Sequence, residues 1–294
     1  MNIEKWFYKN TDSLKGKIAA VTGATGGIGR ELCFYLAKLG ASIILLSRNT
    51  EKTFDLEKSL KIHFPDVKIK HIYLNLEDFS SVKKACEELK NFEIDFLIHN
   101  AGVYNIPRHK CSTGYDNVFQ TNFISPYYMT KELLPGIREK VAVVGSIAHN
   151  YSKIDVGDID FSKRKSSAKV YGNSKRFLMF SMYELFLKKE KPLLSIVHPG
   201  ITFTNITNHY PKFIFAVIKN PMKIIFMKPK KACLSIIQGL FEHCEYHTWT
   251  GPKVFNIWGI PKKKKLYTCS VSESKKIYEI AEKIYCNLKK YDIY

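Results

Sequence analysis

Thr22-Gly23-Ala24-Thr25-Gly26-Gly27-Ile28-Gly29 stands between two stretches of different periodicity. Before it, Lys17 to Thr22 reads as a short buried strand. After it, Arg30 to Gly40 carries a helical apolar pattern through Leu32, Phe34, Tyr35, Leu36 and Leu39. Strand, glycine turn, helix is the order that a dinucleotide-binding loop requires. Glycines permit a tight turn and close approach of backbone to a pyrophosphate. The helix N-terminus then offers free N–H groups and positive dipole to the phosphates. Gly23, Thr25, Gly26, Gly27, Ile28 and Gly29 are therefore candidate cofactor contacts. The bland alternative is an ordinary glycine-rich turn, against which the flanking strand and helix both argue.

The next strand, Ala41 to Ser47, ends in Ser47-Arg48-Asn49. An NAD site places a carboxylate near this point to hold the ribose 2′-hydroxyl. Here no acid is present to repel a 2′-phosphate, and the Arg48 guanidinium can bind one. Ser47, Arg48 and Asn49 together point to NADP(H). The alternative for Arg48 is a solvated loop cation.

Tyr171-Gly172-Asn173-Ser174-Lys175 sets a phenol and an ammonium four residues apart. On a helix they share one face, one turn from each other. A nearby cation is expected to lower the phenol pKa from about 10. The pair is then a candidate general acid/base for a carbonyl or alcohol. The spacing alone is weak in a chain with 17 tyrosines. Its companions strengthen it.

Taken together, the motifs resemble the short-chain dehydrogenase/reductase family. The glycine turn matches the family's cofactor loop, and His99-Asn100-Ala101-Gly102 its Asn-Ala-Gly signature after a strand. Thr121-Asn122 stands where the family keeps a helix asparagine. Val141 to Ser146 matches the strand that ends in the catalytic serine, and Tyr171 with Lys175 the Tyr-x-x-x-Lys pair. His198-Pro199-Gly200 matches the turn after the sixth strand. These motifs come in family order over about residues 14 to 260. The Ser47-Arg48-Asn49 tip, the long polar insert before Tyr171 and Trp258-Gly259-Ile260-Pro261-Lys262 look like the retinol-dehydrogenase-like branch. His99 departs from the commoner Asn. Asn75, followed by Leu76, departs from an Asp beside the adenine ring.

The resemblance implies hydride transfer between nicotinamide and a carbonyl carbon. It assigns Tyr171 as proton donor and acceptor, and Ser146 to the substrate oxygen. Lys175 would lower the Tyr171 pKa and bind the nicotinamide ribose. Asn122 would hold a water that links Lys175 to solvent. Asn100, Ala101, Gly102, Pro199, Gly200, Thr202 and Thr204 would contact the cofactor. Taken singly, Ser146 and Asn122 are equally readable as polar groups that satisfy backbone.

The 294 residues suit a single α/β domain. Strand-like stretches fall at 17–22, 41–47, 67–74, 94–99, 141–146, 193–198 and 253–257, with helical stretches between them. That alternation predicts a Rossmann-type, doubly wound parallel sheet with helices on both faces. Residues 1–13 form an N-terminal extension, 14–260 the core, and 261–294 a basic segment with a terminal helix at 271–290. No apolar run is long enough to span a bilayer, and the N-terminus has no signal-peptide core. Seven cysteines without Cys-x-x-Cys spacing predict neither disulfides nor zinc. The nine histidines show no ligand spacing, so no metal is expected. Free cysteines fit a reducing cytoplasm.

Lys and Arg number 46 against 27 acids, a net charge of +19. Basic surfaces attract nucleic acid, anionic lipid or anionic substrates alike. No nucleic-acid motif is present, so that partner is not expected. Residues 210–227 are apolar and studded with Lys. In the family this region, within 201–230, covers the substrate, so the resemblance implies a lid over a lipophilic carbonyl or alcohol. The composition equally suits peripheral contact with anionic membrane, or plain core packing. A homo-oligomer, dimer or tetramer, is a further expectation from the family. A competing reading is an NADP(H)-binding regulatory or membrane-peripheral protein with little catalysis. The joint presence of Asn122, Ser146, Tyr171 and Lys175 argues against it.

Overall fold

The computed structural model describes residues 3–202, 227–242 and 245–290. One sheet of eight strands runs through it in the order β3-β2-β1-β4-β5-β6-β7-β8. The strands are β1 (Ile18–Thr22), β2 (Ser42–Ser47), β3 (Ile69–Tyr73), β4 (Ile94–His99), β5 (Ile137–Val144), β6 (Leu193–Val197), β7 (Thr248–Val254) and β8 (Trp258–Lys265). All neighbours pair in parallel except β7 and β8. Ala19, Ala20, Val21 and Ile43 to Leu46 are almost fully buried, as strands covered on both faces require.

The covering helices are α1 (Ile3–Asn10), α2 (Gly27–Lys38), α3 (Thr50–His63), α4 (Phe79–Leu89), α5 (Asn117–Phe119), α6 (Ser125–Leu133), α7 (Ser167–Phe186), α8 (Pro229–Phe241) and α9 (Val271–Lys290). One face packs against residues of α1, α2, α3 and α8. The other packs against α4, α6, α7 and α9. The doubly wound parallel sheet expected from the alternation is therefore observed.

The chain leaves β1 for β2 and β3, then crosses back to place β4 beside β1. That reversal opens a crevice at the carboxyl ends of β1 and β4, where ligands bind in sheets of this kind.

Several elements differ from the expected pattern. The last expected strand, 253–257, lies earlier, as β7. Phe255 and Asn256 take φ of 48° and 59°, which turns the chain into an antiparallel hairpin with β8. β8 continues past residue 260. It forms the sheet edge, and Pro261 with Lys262 to Lys265 discourages pairing with another chain. Residues 3–10 form a helix whose Trp6 and Phe7 enter the core. Ile277, Ala281, Ile284 and Leu288 of α9 also join the core. Buried Lys140 closes the C-terminus of α8, donating to the carbonyls of Gly239, Leu240 and Glu242 at 3.1, 2.8 and 2.6 Å.

Candidate active site

Thr22 ends β1 and joins it to the end of β4. Its hydroxyl donates to the Ile98 carbonyl at 3.3 Å and accepts from the Asn100 and Ala101 N–H groups at 3.1 and 3.0 Å. Gly23 follows with φ of 65°. A Cβ there would lie 3.0 Å from Ala101, and one on Gly29 would lie 2.1 Å from the Gly23 carbonyl. Only glycine lets the first turn of α2 stand so close to the strand end. The Asn100 amide donates to the Thr22 and Gly23 carbonyls at 3.0 and 3.3 Å. Its side chain thus braces the loop.

A cavity of about 330 Å³ opens above these turns. Gly23, Thr25, Gly26, Gly27, Ile28 and Gly29 line it, with Ser47, Arg48, Asn75, Leu76, Asn100, Ala101 and Gly102. At the β2 tip the roles divide. The Ser47 hydroxyl meets Thr53 Oγ1 at 2.6 Å. The Asn49 carboxamide oxygen accepts from the Lys52 N–H at 2.8 Å and caps α3. Asn49 is absent from the cavity wall, while Arg48 belongs to it. Glu77, Val103, Tyr104, Ile106 and Thr121 also line the cavity. None of these five stands among the cofactor contacts expected from the sequence; adjacency to Asn-Ala-Gly and to Asn122 is the available signal for Val103, Tyr104 and Thr121.

Asn122 sits in a π-helical turn, Gln120–Ile124, between α5 and α6. Its amide is fully engaged. It accepts from the Val103 N–H at 2.8 Å and donates to the Val103 carbonyl at 2.9 Å and to Ser174 Oγ at 3.0 Å. A Cβ on Gly102 would lie 3.3 Å from both Asn122 Oδ1 and Lys175 Nζ. The Asn-Ala-Gly turn, the π-turn and α7 therefore meet at one point.

Ser146 follows β5 and caps the turn Ile147–Tyr151, accepting from the Ala148 N–H at 3.2 Å. Its hydroxyl also faces the Tyr171 phenol and favours the ionised form of that phenol. Gly172 lets α7 close on this turn, since a Cβ there would lie 2.2 Å from the Ala148 carbonyl. Tyr104 packs edge-on to Tyr171, with ring centres 5.2 Å apart. Lys175 is 2% exposed, and its Nζ donates to the Val144 carbonyl at 2.8 Å.

The expected lowering of the Tyr171 pKa is not seen. Burial pushes the phenol up to about 12, against the opposing pull of the Ser146 hydroxyl. Burial also pushes the Lys175 ammonium down to about 8. The cation and the phenol are close, yet both are too dry to favour charge.

Pro199 and Gly200 follow β6. Gly200 takes φ of 82°, and a Cβ there would lie 2.8 Å from the Ile257 carbonyl at the β7–β8 turn. Thr202 bridges to Met227. Neither the Pro-Gly turn nor Thr202 lines the cavity. Thr204 and positions 203–226 of the expected lid lie outside the described residues.

The model of the short chain dehydrogenase family matches residues 17–212, from β1 to beyond the Pro-Gly turn. The chain belongs to the short-chain dehydrogenase family. It is 31% identical over 254 residues to an uncharacterized oxidoreductase of Schizosaccharomyces pombe, covering 80% of this chain and 75% of that one. It is 29% identical to mouse retinol dehydrogenase 12 over 204 residues, 67% of this chain and 65% of the relative. The fold is shared with the crystal structure of an uncharacterized protein from Mycobacterium paratuberculosis. That pair superimposes with a TM-score of 0.77 at 21% identity, covering 94% of this chain and 96% of the other.

In this short-chain dehydrogenase Asn122 reaches α7 through Ser174, and the Lys175 ammonium lies 5.9 Å from the Tyr171 ring centre on the same helix. His99, in place of the commoner Asn, is buried, and its Nε2 meets Thr130 Oγ1 at 2.8 Å. Burial holds its pKa at about 3, so it serves the α6 packing as a neutral ring. Among the described residues no helix is long and apolar enough to cross a membrane.

Proposed function

We propose that this oxidoreductase transfers hydride between NADP(H) and a lipophilic carbonyl or alcohol. The observation that carries the reading is the Tyr171 phenol, which faces Ser146 one helical turn before Lys175 while Tyr104 of the glycine-walled cavity packs against its ring.

The cavity fits a dinucleotide phosphate. Gly23 and Gly29 leave no room for side chains where backbone must approach the pyrophosphate. Arg48 is the cavity's cation at the β2 tip, suited to a 2′-phosphate. Residues 25–29 would hold the pyrophosphate, Asn75 and Leu76 the adenine, and Lys175 the nicotinamide ribose. When bound, the cofactor supplies or accepts the hydride at its nicotinamide ring.

Tyr171 gives its phenolic proton to the substrate oxygen in reduction and takes it back in oxidation. A phenol held near 12 keeps its proton at neutral pH, which suits the donor role. Ser146 Oγ already accepts the Ala148 N–H, so its own hydrogen is directed at Tyr171 or at the substrate oxygen. Asn122 holds Val103 and Ser174 in place and thereby sets the approach of α7. The lipophilic substrate is supported by the likeness to retinol dehydrogenase 12 and by the apolar, Lys-rich composition of 210–227.

The test is fluorescence titration with NADPH and NADH, then NADPH consumption over long-chain and retinoid aldehydes and ketones. Tighter NADPH binding with turnover is expected. Failure to bind either cofactor overturns the reading. The same reading includes a dimer or tetramer, tested by light scattering, and peripheral contact with anionic lipid in the cytoplasm, tested by vesicle flotation.

A further inference from the structure

His149 lies in the turn that follows Ser146 and is fully enclosed, with 0% exposure. Trp249 stands perpendicular to its ring at 5.6 Å and Phe180 at 5.8 Å. Its Nδ1 is 2.5 Å from the Ser146 carbonyl oxygen, and its Nε2 is 2.7 Å from Thr268 Oγ1.

These two distances decide the tautomer. A carbonyl oxygen only accepts, so the proton sits on Nδ1. Burial, against the pull of the Ser146 bond, holds the ring pKa at about 4, and the ring is neutral at pH 7. Nε2 then carries a lone pair, and the Thr268 hydroxyl donates to it. The opposite tautomer would face a lone pair to the Ser146 carbonyl.

Arg176, next to Lys175 on α7 and 2% exposed, joins the same parts from the other side. Its Nη1 donates to the His149 carbonyl at 3.2 Å, and its Nη2 to the Thr268 carbonyl at 2.7 Å. Its Nε and Nη2 also pair with the Glu273 carboxylate at 2.8 and 2.7 Å. Thr268 and Glu273 lie well beyond the residues that the family model matches.

We infer that His149 is a positioning residue for Ser146, and that the C-terminal segment, through Thr268 and Glu273, latches the Ser146 turn against α7. The serine is thereby held on two sides, its carbonyl by His149 and its hydroxyl by the Ala148 N–H. The inference rests on the proposed role of Ser146. Its physical content, however, is a locked imidazole that exists without substrate.

The experiment uses the full chain and the near-isosteric pair Thr268→Val and Thr268→Ser. Nitrogen-15 NMR of the imidazoles at neutral pH reads the tautomer, with His149→Asn identifying the signal. Wild type and Thr268→Ser are expected to show His149 protonated on Nδ1. Thr268→Val is expected to leave the proton on Nδ1, which the Ser146 carbonyl still requires, and to move the signal of the unprotonated Nε2 downfield as that nitrogen loses its hydrogen-bond donor. Its kcat should fall about tenfold or more, the scale of a misplaced catalytic group, while NADPH affinity and melting temperature stay near wild type. Thr268→Ser should restore kcat.

A Thr268→Val protein with an unchanged Nε2 signal and wild-type kcat overturns the latch. Tyr171→Phe is assayed alongside. If that variant turns over like wild type, the proposed site fails instead, and the NMR arm still decides whether Thr268 locks His149.

Discussion

Lys175 stands one helical turn from Tyr171, yet its Nζ donates to the Val144 carbonyl and lies 5.9 Å from the Tyr171 ring centre. The ammonium is held by β5 as much as it is offered to the phenol. Its burial gives a pH signature with a definite sign. The unfolded chain keeps this proton to about 10.5, and the folded chain releases it at about 8. Between those values the unfolded state binds more protons, so wild-type stability rises with pH there. The displacement corresponds to roughly 3 kcal/mol, less about 1–2 kcal/mol for the lost bond to Val144. Lys175→Met should therefore be more stable than wild type below pH 8, with the advantage gone near pH 10.5, and should lose turnover. Urea melts across pH 6 to 10.5 measure this. A less stable variant at pH 7 contradicts it.

Tyr171→Phe removes the oxygen that faces Ser146 and leaves the glycine cavity untouched. NADPH titration should match wild type, while kcat should fall by roughly 10² to 10⁴, the range ascribed to proton transfer. An unchanged rate of substrate reduction would remove Tyr171 from the acid/base role.

Arg48 lines the cavity at the tip of β2, while Asn49 caps α3 and Ser47 meets Thr53. Arg48→Asp exchanges a phosphate-binding cation for a carboxylate suited to a free ribose. The ratio of NADPH to NADH affinity should fall by about tenfold or more. The helix cap does not involve Arg48, so the melting temperature should hold. Equal ratios in both proteins would end the 2′-phosphate assignment.

Gly29→Ala would set a methyl 2.1 Å from the Gly23 carbonyl. Backbone cannot yield as a flexible side chain does, so α2 must shift off the strand end. A stability loss of about 2–4 kcal/mol is expected, with weakened binding of both cofactors alike. Selective loss of NADPH alone would place the defect at Arg48 and contradict this account.

Most of the sheet was legible in the chain because strands, glycine turns and helices are written locally. Apolar runs of five or six residues made β1, β2, β4 and β6 readable. The glycines before α2 identified the loop, and the motifs came in an order only one architecture accommodates. The β7–β8 hairpin reads in the sequence as a single strand at 253–257, because its turn depends on positive φ at Phe255 and Asn256, residues without a glycine's signature.

The sequence by itself determined the doubly wound parallel sheet and the family, and it singled out the glycine loop with Asn122, Ser146, Tyr171 and Lys175 as candidates. Only the tertiary structure decided what each side chain touches. It spent Asn49 on a helix cap and Asn100 on the loop backbone, and it dried the phenol so that its pKa rose. It also brought Thr268 to His149 across 119 residues. Periodicity is a property of neighbours in the chain. Burial, tautomer and hydrogen-bond partner are set by groups that meet only when the whole chain has packed.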